Sequence, residues 1–411
     1  MDHGDVAWML TSSALVFIMT PGLAFFYGGL VKRKNIINTI MSSAILMGIA
    51  SLLWVLVGFS LSFSGDTAGI IGNLRWLGMN FNGFSDATLP YPNTLTFAIF
   101  QMMFAIITPA LLTGAIAERM KFSSLVIFVT IWSLIVYYPM AHMVWGKGWL
   151  FQIGSIDFAG GNVVHVSSGI SALILTLLLG KRKNHGRATY HPHNAPFVFL
   201  GAALLWFGWF GFNGGSALAS NELAAHAILT TNTSAAAAML SWMFIEKLTT
   251  GKPTLIGLST SMVLGLVAIT PGAGFVPIWA SIIIGAMASP LSYFFITVIK
   301  KKFKYDDALD VFGCHGIGGI WGGIATGLFT QTSINAAAPG NGLVFGETSL
   351  FVAQLIAIGV TIAVAIVGTL VATSIAALFT KGIRVSAKSE DVGLDISEHS
   401  EHAYPAFNGM D

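Results

Sequence analysis

The sequence predicts an all-α polytopic membrane protein with eleven transmembrane helices. Three observations lead to this prediction: the scarcity of charge, a series of long apolar stretches, and the alternation of basic residues between the loops that separate them. Of the 411 residues, 55% are hydrophobic and only 9% are charged. A soluble domain carries roughly 25% charged residues, so a chain of this composition is unable to cover its own surface against water. We therefore expect most of it to lie in a bilayer.

The apolar stretches give the predicted helices in order. A stretch of about 20 apolar residues is long enough to cross a bilayer as a helix. Eleven such stretches occur, near 6–31, 36–63, 93–116, 122–142, 161–180, 196–219, 223–246, 254–270, 275–299, 310–329 and 348–381. The chain after them is polar. We therefore expect a membrane domain over 1–382 and a separate C-terminal region over 383–411.

The basic residues lie almost entirely on one side of these spans. Only Arg75 and Lys147 follow even-numbered spans. The other 18 of the 20 Lys and Arg residues follow odd-numbered spans: Lys32, Arg33, Lys34, Arg119, Lys121, Lys181, Arg182, Lys183, Arg187, Lys247, Lys252, Lys300, Lys301, Lys302, Lys304, Lys381, Arg384 and Lys388. By the positive-inside rule, the N-terminus lies outside and the C-terminus inside. An incorrect span count would scramble this alternation, so the charges support the count.

Two similar motifs indicate an inverted repeat. Span five carries His165 after Asp157 in DFAGGNVVHVSSGISA, and span ten carries His315 after Asp310 in DVFGCHGIGGIWGG. Each half, spans 1–5 and 6–10, then holds five helices, and an odd number inverts the second half relative to the first. Span eleven is an addition. Transporters built in this way have their functional site near the midplane, where the halves meet.

The two histidines are the main candidates for function. A polar side chain inside a bilayer is costly and by default marks a functional site. Glycines around His315 allow close backbone approach. A neutral imidazole both donates and accepts, so His165 and His315 can pair and still offer a nitrogen to a passing molecule. The alternative is a pair of hydrogen-bonded core histidines. Asp157 and Asp310 are expected to be helix N-caps, and Asp157 also to hold the backbone that faces the entrance.

Several aromatic residues predict a cation site at the outer mouth. Phe100 and Phe104 lie four residues apart on one helix face, Phe212 is followed one turn later by Ser216, and Trp145 ends span four. Simple packing, or an interfacial tryptophan belt, is the alternative. Aromatic faces attract a small cation by roughly 0.5–2 kcal/mol. A charge at the bilayer centre costs roughly 2.5 kcal/mol or more, so an apolar lumen suits a cation that sheds a proton and crosses as the neutral base.

These motifs closely resemble the ammonium transporter family (the microbial Amt and Mep proteins, with the Rh proteins as distant relatives). The resemblance runs over nearly the whole chain, through MTPGLAFFYGGLVKRKN, DFAGGNVVH, WFGWFGFNGG, DVFGCHGIGGIWGG and GLDISEHSEHAY. It implies an ammonium transporter that recruits ammonium, deprotonates it and conducts ammonia, with or without a separately moved proton. The implied recruitment site is Phe100, Phe104, Trp145 and Ser216, supported by Asp157. The implied pore gate is Phe104 with Phe212, and the pore histidines are His165 and His315.

The resemblance also implies an assembly and its control. The family forms homotrimers in the cell membrane with one pore per subunit, and a PII-type signal protein often blocks its microbial members. No enzymatic activity, cofactor, metal or nucleic acid is implied. The C-terminal region is expected to touch the neighbouring subunit and regulate transport. Its implied residues are Gly393, Leu394, Asp395, Ser397, His399 and Tyr404.

Two other functions are open to the same residues. The first is an ammonium sensor with the same membrane fold, although a tail of about thirty residues without a signalling domain favours transport. The second is an enzyme or electron carrier that uses the two histidines as axial haem ligands. It requires a planar cavity between them, which the glycines argue against. The single cysteine, Cys314, excludes an intrachain disulfide and a cysteine-based metal cluster.

Overall fold

The structure, a computed structural model, describes residues 3–81, 94–183, 185–186 and 191–404. Residue 93 of the third predicted span, Arg187 and the end of the tail from 405 lie outside these residues. Within them the chain is helical, and two isolated β-bridges occur in place of any strand. This confirms the predicted all-α class.

The helices follow the predicted order. In the membrane domain they are α1 (His3–Leu30), α2 (Arg33–Phe63), α3 (Thr94–Ile116), α4 (Phe122–Gln152), α5 (Gly161–Leu179), α6 (Ala195–Ala217), α7 (Glu222–Thr249), α8 (Leu255–Ile269), α9 (Ile278–Phe303), α10 (312–329) and α11 (Ser349–Thr380). Two short helices follow, α12 (Ala387–Val392) and α13 (Leu394–His399).

Nine of the helices in the described residues are long and apolar enough to cross a membrane. The two predicted spans outside this set are α8 and α10. Helix α8 has only 15 residues. Helix α10 is rich in glycine and contains His315, which lower its mean hydropathy. Length and composition therefore support a polytopic membrane protein, without by themselves giving eleven spans.

Helices α5 and α10 pack against each other and are enclosed by α3, α8, α9 and α11. Both begin with a π-helical turn, over Gly161–Val166 and Phe312–Gly316. Each turn leads into a 13-residue α-helix, Ser167–Leu179 in one and Ile317–Phe329 in the other. These helices are offset by the same 150 residues that separate the two histidines. Two helices of equal length at a constant sequence offset are typical of an internal repeat.

Glycine allows the two helices to meet. A Cβ placed on Gly169 would lie 2.2 Å from the backbone nitrogen of Gly316. At the equivalent position of α10, a Cβ on Gly319 would lie 3.0 Å from the Cβ of His165. Small residues at a helix interface let backbones approach closely in a membrane. The contact brings the N-terminal turns of α5 and α10, and with them both histidines, together.

A buried ionic cluster joins the loops at the end of the molecule where the basic residues lie. The Arg182 guanidinium donates from Nη1 to Glu118 Oε2 at 3.0 Å and from Nη2 to Asp306 Oδ1 at 2.8 Å. Arg119 donates from Nη2 to the Asp306 carbonyl at 2.6 Å. The cluster ties together the loops after α3, α5 and α9.

Helices α12 and α13 dock beside this cluster. The Leu394 side chain is fully buried, and its backbone N–H donates to Asn35 Oδ1 at 2.8 Å. Asp395 Oδ1 accepts the backbone N–H of Asn38 at 2.9 Å, and so caps the start of α2. Lys34 Nζ donates to the carbonyl of Asp391. The tail is thus bound to the membrane domain of its own chain.

Candidate functional site

A cavity of about 390 Å³, called the outer cavity after the predicted outer site, opens between α3, α4 and α6, at the end opposite the ionic cluster. Its lining includes all five residues of the predicted outer site: Phe100, Phe104, Trp145, Asp157 and Ser216. The first and the last of these residues are more than one hundred positions apart in the sequence. The structure therefore brings the predicted outer site together in one cavity.

The aromatic rings surround Phe104. Its ring centroid lies 5.0 Å from that of Phe100 and 5.8 Å from that of Trp145, at 67° and 84° between planes. The Phe212 ring lies 4.2 Å away at 30°, close to parallel. Phe104 lines the outer cavity, whereas Phe212 lines a second, inner one. Both rings are about 1% exposed. The pair therefore stands between the two cavities.

Hydrogen bonds fix the polar groups of the outer cavity. Ser216 Oγ donates to the Phe212 carbonyl at 2.8 Å, which uses its only proton and leaves its oxygen as an acceptor. Trp145 Nε1 donates to the Asp157 carbonyl at 2.8 Å. An acceptor oxygen between aromatic rings suits a small cation that carries hydrogen-bond donors.

Asp157 anchors the start of α5, which confirms its predicted capping role. Oδ1 accepts the backbone N–H groups of Gly160 and Gly161 at 2.8 and 2.6 Å. Oδ2 accepts those of Asn162 and Val163 at 2.8 and 3.3 Å. Burial raises the pKa of Asp157, and these four hydrogen bonds lower it. Burial has the larger effect, so the pKa lies above its usual value. The carboxylate holds the turn that carries His165.

The same capping prediction is wrong for Asp310. Its carboxylate accepts from Lys300 Nζ at 2.5 Å and is about one-third exposed. The cap of α10 is Asp307, whose Oδ2 accepts the backbone N–H of Phe312 at 2.8 Å. Asp307 precedes His315 by eight residues, the spacing of Asp157 from His165. A left-handed residue at Asp310, with φ of 59°, turns the chain between cap and helix.

The two histidines meet below the phenylalanine pair. Their Nδ1 atoms lie 3.3 Å apart, and their rings are 5.3 Å apart at 19°. At most 3% of either residue is exposed. One nitrogen of the contact donates and the other accepts, so one imidazole keeps Nε2 as an acceptor and the other keeps it as a donor. His165 Nε2 has no hydrogen-bond partner among the described residues.

The inner cavity around the histidines is narrow and apolar. It measures about 10 Å³ and is lined, besides both imidazoles, by Met19, Leu23, Ile107, Leu111, Val164, Leu205, Trp209, Phe212 and Val263. A metal between the facing nitrogens would need about 4 Å, twice a metal–imidazole bond of about 2.0 Å. The separation of 3.3 Å is too short for the axial-ligand hypothesis.

Sequence reasoning missed Trp209. Its ring stacks on His165 with centroids 5.5 Å apart at 21°, and its Nε1 donates to Thr270 Oγ1 at 2.9 Å. Trp209 therefore holds the His165 ring against His315. Its spacing of three residues from Phe212, which places both on one helix face, was the available signal.

Comparisons with known proteins agree with this architecture. Residues 7–404 match the model of the Ammonium Transporter Family. The chain is 48% identical over 406 residues to an ammonium transporter of Bacillus subtilis, covering 98% of this chain and 99% of the relative. It superposes on the crystal structure of Candida albicans Mep2 with a TM-score of 0.88, at 31% identity, covering 98% of this chain and 91% of that one. A structure described as a sensor Amt protein also matches, with a TM-score of 0.88, 30% identity, and coverage of 96% and 98%.

Proposed function

Because the chain belongs to the Ammonium Transporter Family, we propose that it carries ammonium across a cell membrane. The main support for this proposal is the order in which the parts of the candidate site follow one another. An aromatic cavity with an acceptor oxygen leads to a closed phenylalanine pair, and a neutral histidine pair lies beyond it. Such an order separates capture of a cation from passage of a neutral molecule.

The proposed topology has eleven spans, with the N-terminus outside and the C-terminus inside. The charge alternation of the loops supports it. The 150-residue offset between α5 and α10 supports an inverted repeat of α1–α5 and α6–α10, with α11 added. Helix α10 is enclosed by α8, α9 and α11, so it faces protein more than lipid and does not need the hydropathy of an isolated span.

Capture would take place in the outer cavity. Ammonium would lie against the faces of Phe100, Phe104 and Trp145 and donate to Ser216 Oγ. A cation–π contact is worth about 0.5–2 kcal/mol, and more as water is excluded. Asp157 supports the site indirectly, since it holds the α5 turn and its own carbonyl fixes the Trp145 indole.

Passage would require loss of a proton. Moving a charge to the bilayer centre costs roughly 2.5 kcal/mol or more, and the inner cavity offers no counter-charge among its lining residues. Rotation of Phe104 and Phe212 would open the path. Ammonia would then exchange hydrogen bonds with the imidazoles of His165 and His315, which serve as a polar but uncharged waypoint.

The assembly and its regulation are also part of the proposal. We infer a homotrimer in the cell membrane, with residues 383–404 acting as a regulatory region and a PII-type signal protein as partner on the cytoplasmic face. The docked tail supports a regulatory role. Leu394 and Asp395 are buried against α2, Ser397 Oγ donates to the Gly393 carbonyl at 2.9 Å, and His399 Nε2 lies 3.0 Å from Asn38 Nδ2. The Tyr404 hydroxyl lies 3.1 Å from His193 Nε2.

An ammonium sensor with the same fold is the second candidate. The likeness to the sensor Amt protein, which covers 96% of this chain, favours it. Sensor and transporter differ in whether substrate crosses the membrane, so a flux measurement separates them.

The test is electrical. The protein is reconstituted in liposomes on a solid-supported membrane, and ammonium is pulsed onto wild type, His165→Ala and His315→Ala. A wild-type current that both variants lose would mean that charge moves on a path through the histidine pair. Ammonium entry detected by an internal pH dye without a current would mean conduction of neutral ammonia. Absence of both signals in wild type would reject transport and leave the sensor hypothesis.

A further inference from the structure

A third buried histidine lies near the outer cavity but outside its lining. His142 is fully buried in the last turn of the α4 segment Tyr138–Trp145. Its Nδ1 lies 3.0 Å from the carbonyl oxygen of Ser62, and its Nε2 lies 2.9 Å from Oδ1 of Asp66. The Asp66 side chain is about half exposed. The ring thus joins α4 to the end of α2 and to the loop that follows it.

Both partners of His142 are hydrogen-bond acceptors. A backbone carbonyl only accepts, and so does an ionised carboxylate. Asp66 Oδ1 already accepts the backbone N–H of Gly69 at 2.9 Å. A neutral imidazole has a single N–H and satisfies only one of two such partners. The complete arrangement therefore requires one additional proton, which an imidazolium at His142 supplies directly.

The contact is linked to Trp145 through the backbone. The His142 carbonyl accepts the N–H groups of Gly146 and Gly148 at 2.9 and 3.1 Å, and so closes the helix end that bears Trp145. On the other side of the loop, the Gly69 carbonyl accepts the Trp149 N–H at 2.7 Å. The Asp66–Gly69 turn is therefore tied to the chain on both sides of Trp145. If the hydrogen bond between His142 and Asp66 is lost, the bond between Trp149 and Gly69 remains of these two ties.

We propose that His142 is a positioning residue whose protonation, shared with Asp66, makes substrate capture at Trp145 depend on the pH outside the cell. This inference rests on the proposed function. From the loop after α2, Asp66 is the titratable group that contacts the ring in the described part of the chain. From α2 itself the neutral Ser62 carbonyl faces it, and the next charged residue along α4 is the exposed Lys147.

Asp66→Asn separates this role from a merely structural one. The Asn amide donates to an imidazole Nε2 that has no proton, and its oxygen still accepts the Gly69 N–H. A neutral His142 then satisfies both partners, and the link no longer needs the extra proton. His142→Gln removes the imidazole altogether. His226→Gln is the matched control, because His226 is another outer-side histidine bonded to a carbonyl, that of Val276 at 2.9 Å.

The measurement is the apparent KM for ammonium, from ammonium-evoked signals in liposomes with equal pH on both sides. The pH is varied from about 5.5 to about 8, the range in which histidines titrate. In wild type and His226→Gln, the KM should rise roughly three- to tenfold with pH, the net worth of one ordinary hydrogen bond. In Asp66→Asn it should change less than about twofold.

Several outcomes would overturn the inference. One is a wild-type KM that does not vary with pH, and another is a wild-type pH slope retained in Asp66→Asn. His142→Gln is expected to have a raised KM at every pH, and an unchanged KM would also contradict the role. If His142→Gln fails to fold, Asp66→Asn alone decides. A wild type without any ammonium signal at any pH would instead reject the proposed function.

Discussion

The contact between His165 and His315 places polar nitrogen atoms in an apolar cavity, and two neutral imidazoles do this without adding a charge. The two Nδ1 atoms satisfy each other at 3.3 Å, whereas His165 Nε2 keeps no hydrogen-bond partner among the described residues. Trp209 also stacks on His165, which limits rotation of the imidazole ring. On the proposed pore path, a polar molecule would meet two imidazoles that already contact each other.

At the residue scale, Asp157→Ala should be strongly destabilising. The change leaves four buried backbone N–H groups without an acceptor, and each unsatisfied group costs about 1–3 kcal/mol before relaxation. Asp157→Asn keeps one acceptor oxygen and should be intermediate. The measurement is the midpoint of thermal unfolding in detergent, followed by the ammonium flux of the surviving protein.

The control for this prediction is Asn221→Ala. Asn221 also caps a helix, but its Oδ1 accepts a single partly exposed N–H, that of Ala224 at 3.1 Å. The loss of one such cap costs about 0.5–2 kcal/mol. An unfolding midpoint of Asp157→Ala no lower than that of Asn221→Ala would show that the carboxylate is not what holds the α5 turn.

At the scale of elements, the contact between α5 and α10 depends on glycine. Both helices start with a π-turn, and such turns occur often at functional sites. The extra residue in each turn widens the helix where its histidine projects. With only hydrogen at Gly169, the backbones approach until the two imidazoles touch.

Gly169→Ala should therefore abolish flux and lower stability. The new Cβ would lie 2.2 Å from the Gly316 nitrogen, so the helices must separate by roughly an ångström or more and the histidine contact must open. Flux through liposomes and the unfolding midpoint measure the two effects.

Gly359→Ala is the matched control. It lies in α11, where an added Cβ has no atom of the described residues within 4 Å. In a helix interior, alanine is more favourable than glycine by about 0.5–1 kcal/mol, so this variant should keep its flux and equal or exceed wild type in stability. Equal behaviour of the two variants would contradict the role of the close contact.

The sequence predicted these elements well and their caps only in part. The apolar stretches located α1 to α11, because a long apolar helix is a local property of about 20 residues, but they gave no sign of α12 and α13. The cap of α10 was misassigned because the motif begins at Asp310, the residue next to the helix. Asp307 lies five residues before the N–H that it accepts, beyond a left-handed turn that no local pattern marked. The stacking of Trp209 was missed because it depends on where α6 lies relative to α5.

At the scale of the whole molecule, the tail comes close to α2 at a glycine, Gly393. Gly393 has φ of 110°, a conformation that L side chains rarely adopt, and an added Cβ would lie 2.6 Å from the Lys34 carbonyl. Gly393→Ala should release α13 from α2. Faster cleavage of the tail by a protease, with the membrane helices protected, is the measurement, and flux should change with it.

Gly382→Ala separates strain from contact. Gly382 also has a positive φ, 93°, but in the part of the chain that the structure describes no atom lies within 4 Å of its added Cβ. It should alter tail cleavage far less than Gly393→Ala. If both variants behave alike, backbone strain rather than docking against Lys34 controls the tail.

The burial of two basic residues also belongs to this scale. The sequence indicated the basic residues only as markers of the cytoplasmic side. In the structure, Arg119 and Arg182 are buried, and they join loops from three places in the chain. Hydropathy and charge counts are sums over neighbours, so they contain no information about which acid meets which base across the fold.

The ionic cluster should make stability depend on acid pH, and Asp306 is its centre. Burial alone raises the pKa of Asp306, but the hydrogen bonds and charge of Arg182, with Arg119 nearby, lower it well below its usual range. Its contribution is therefore complete above the unfolded pKa of about 3.9 and is lost as pH falls further. Asp307, whose pKa burial raises to about 6, contributes in the opposite direction and loses stability as pH rises.

Comparison of wild type with Asp306→Asn isolates the first effect, because Asp307 is present in both. Removal of one partner of a buried ion pair costs about 3–5 kcal/mol, so the unfolding midpoint of the variant should lie well below wild type at about pH 6. The gap should shrink as pH falls from about 4 to about 2.5. Asp391→Asn, which breaks the half-exposed pair with Lys183, should cost at most about 1 kcal/mol at any pH. A gap for Asp306→Asn that stays constant with pH would mean that its carboxylate stabilises the fold through packing rather than through its charge.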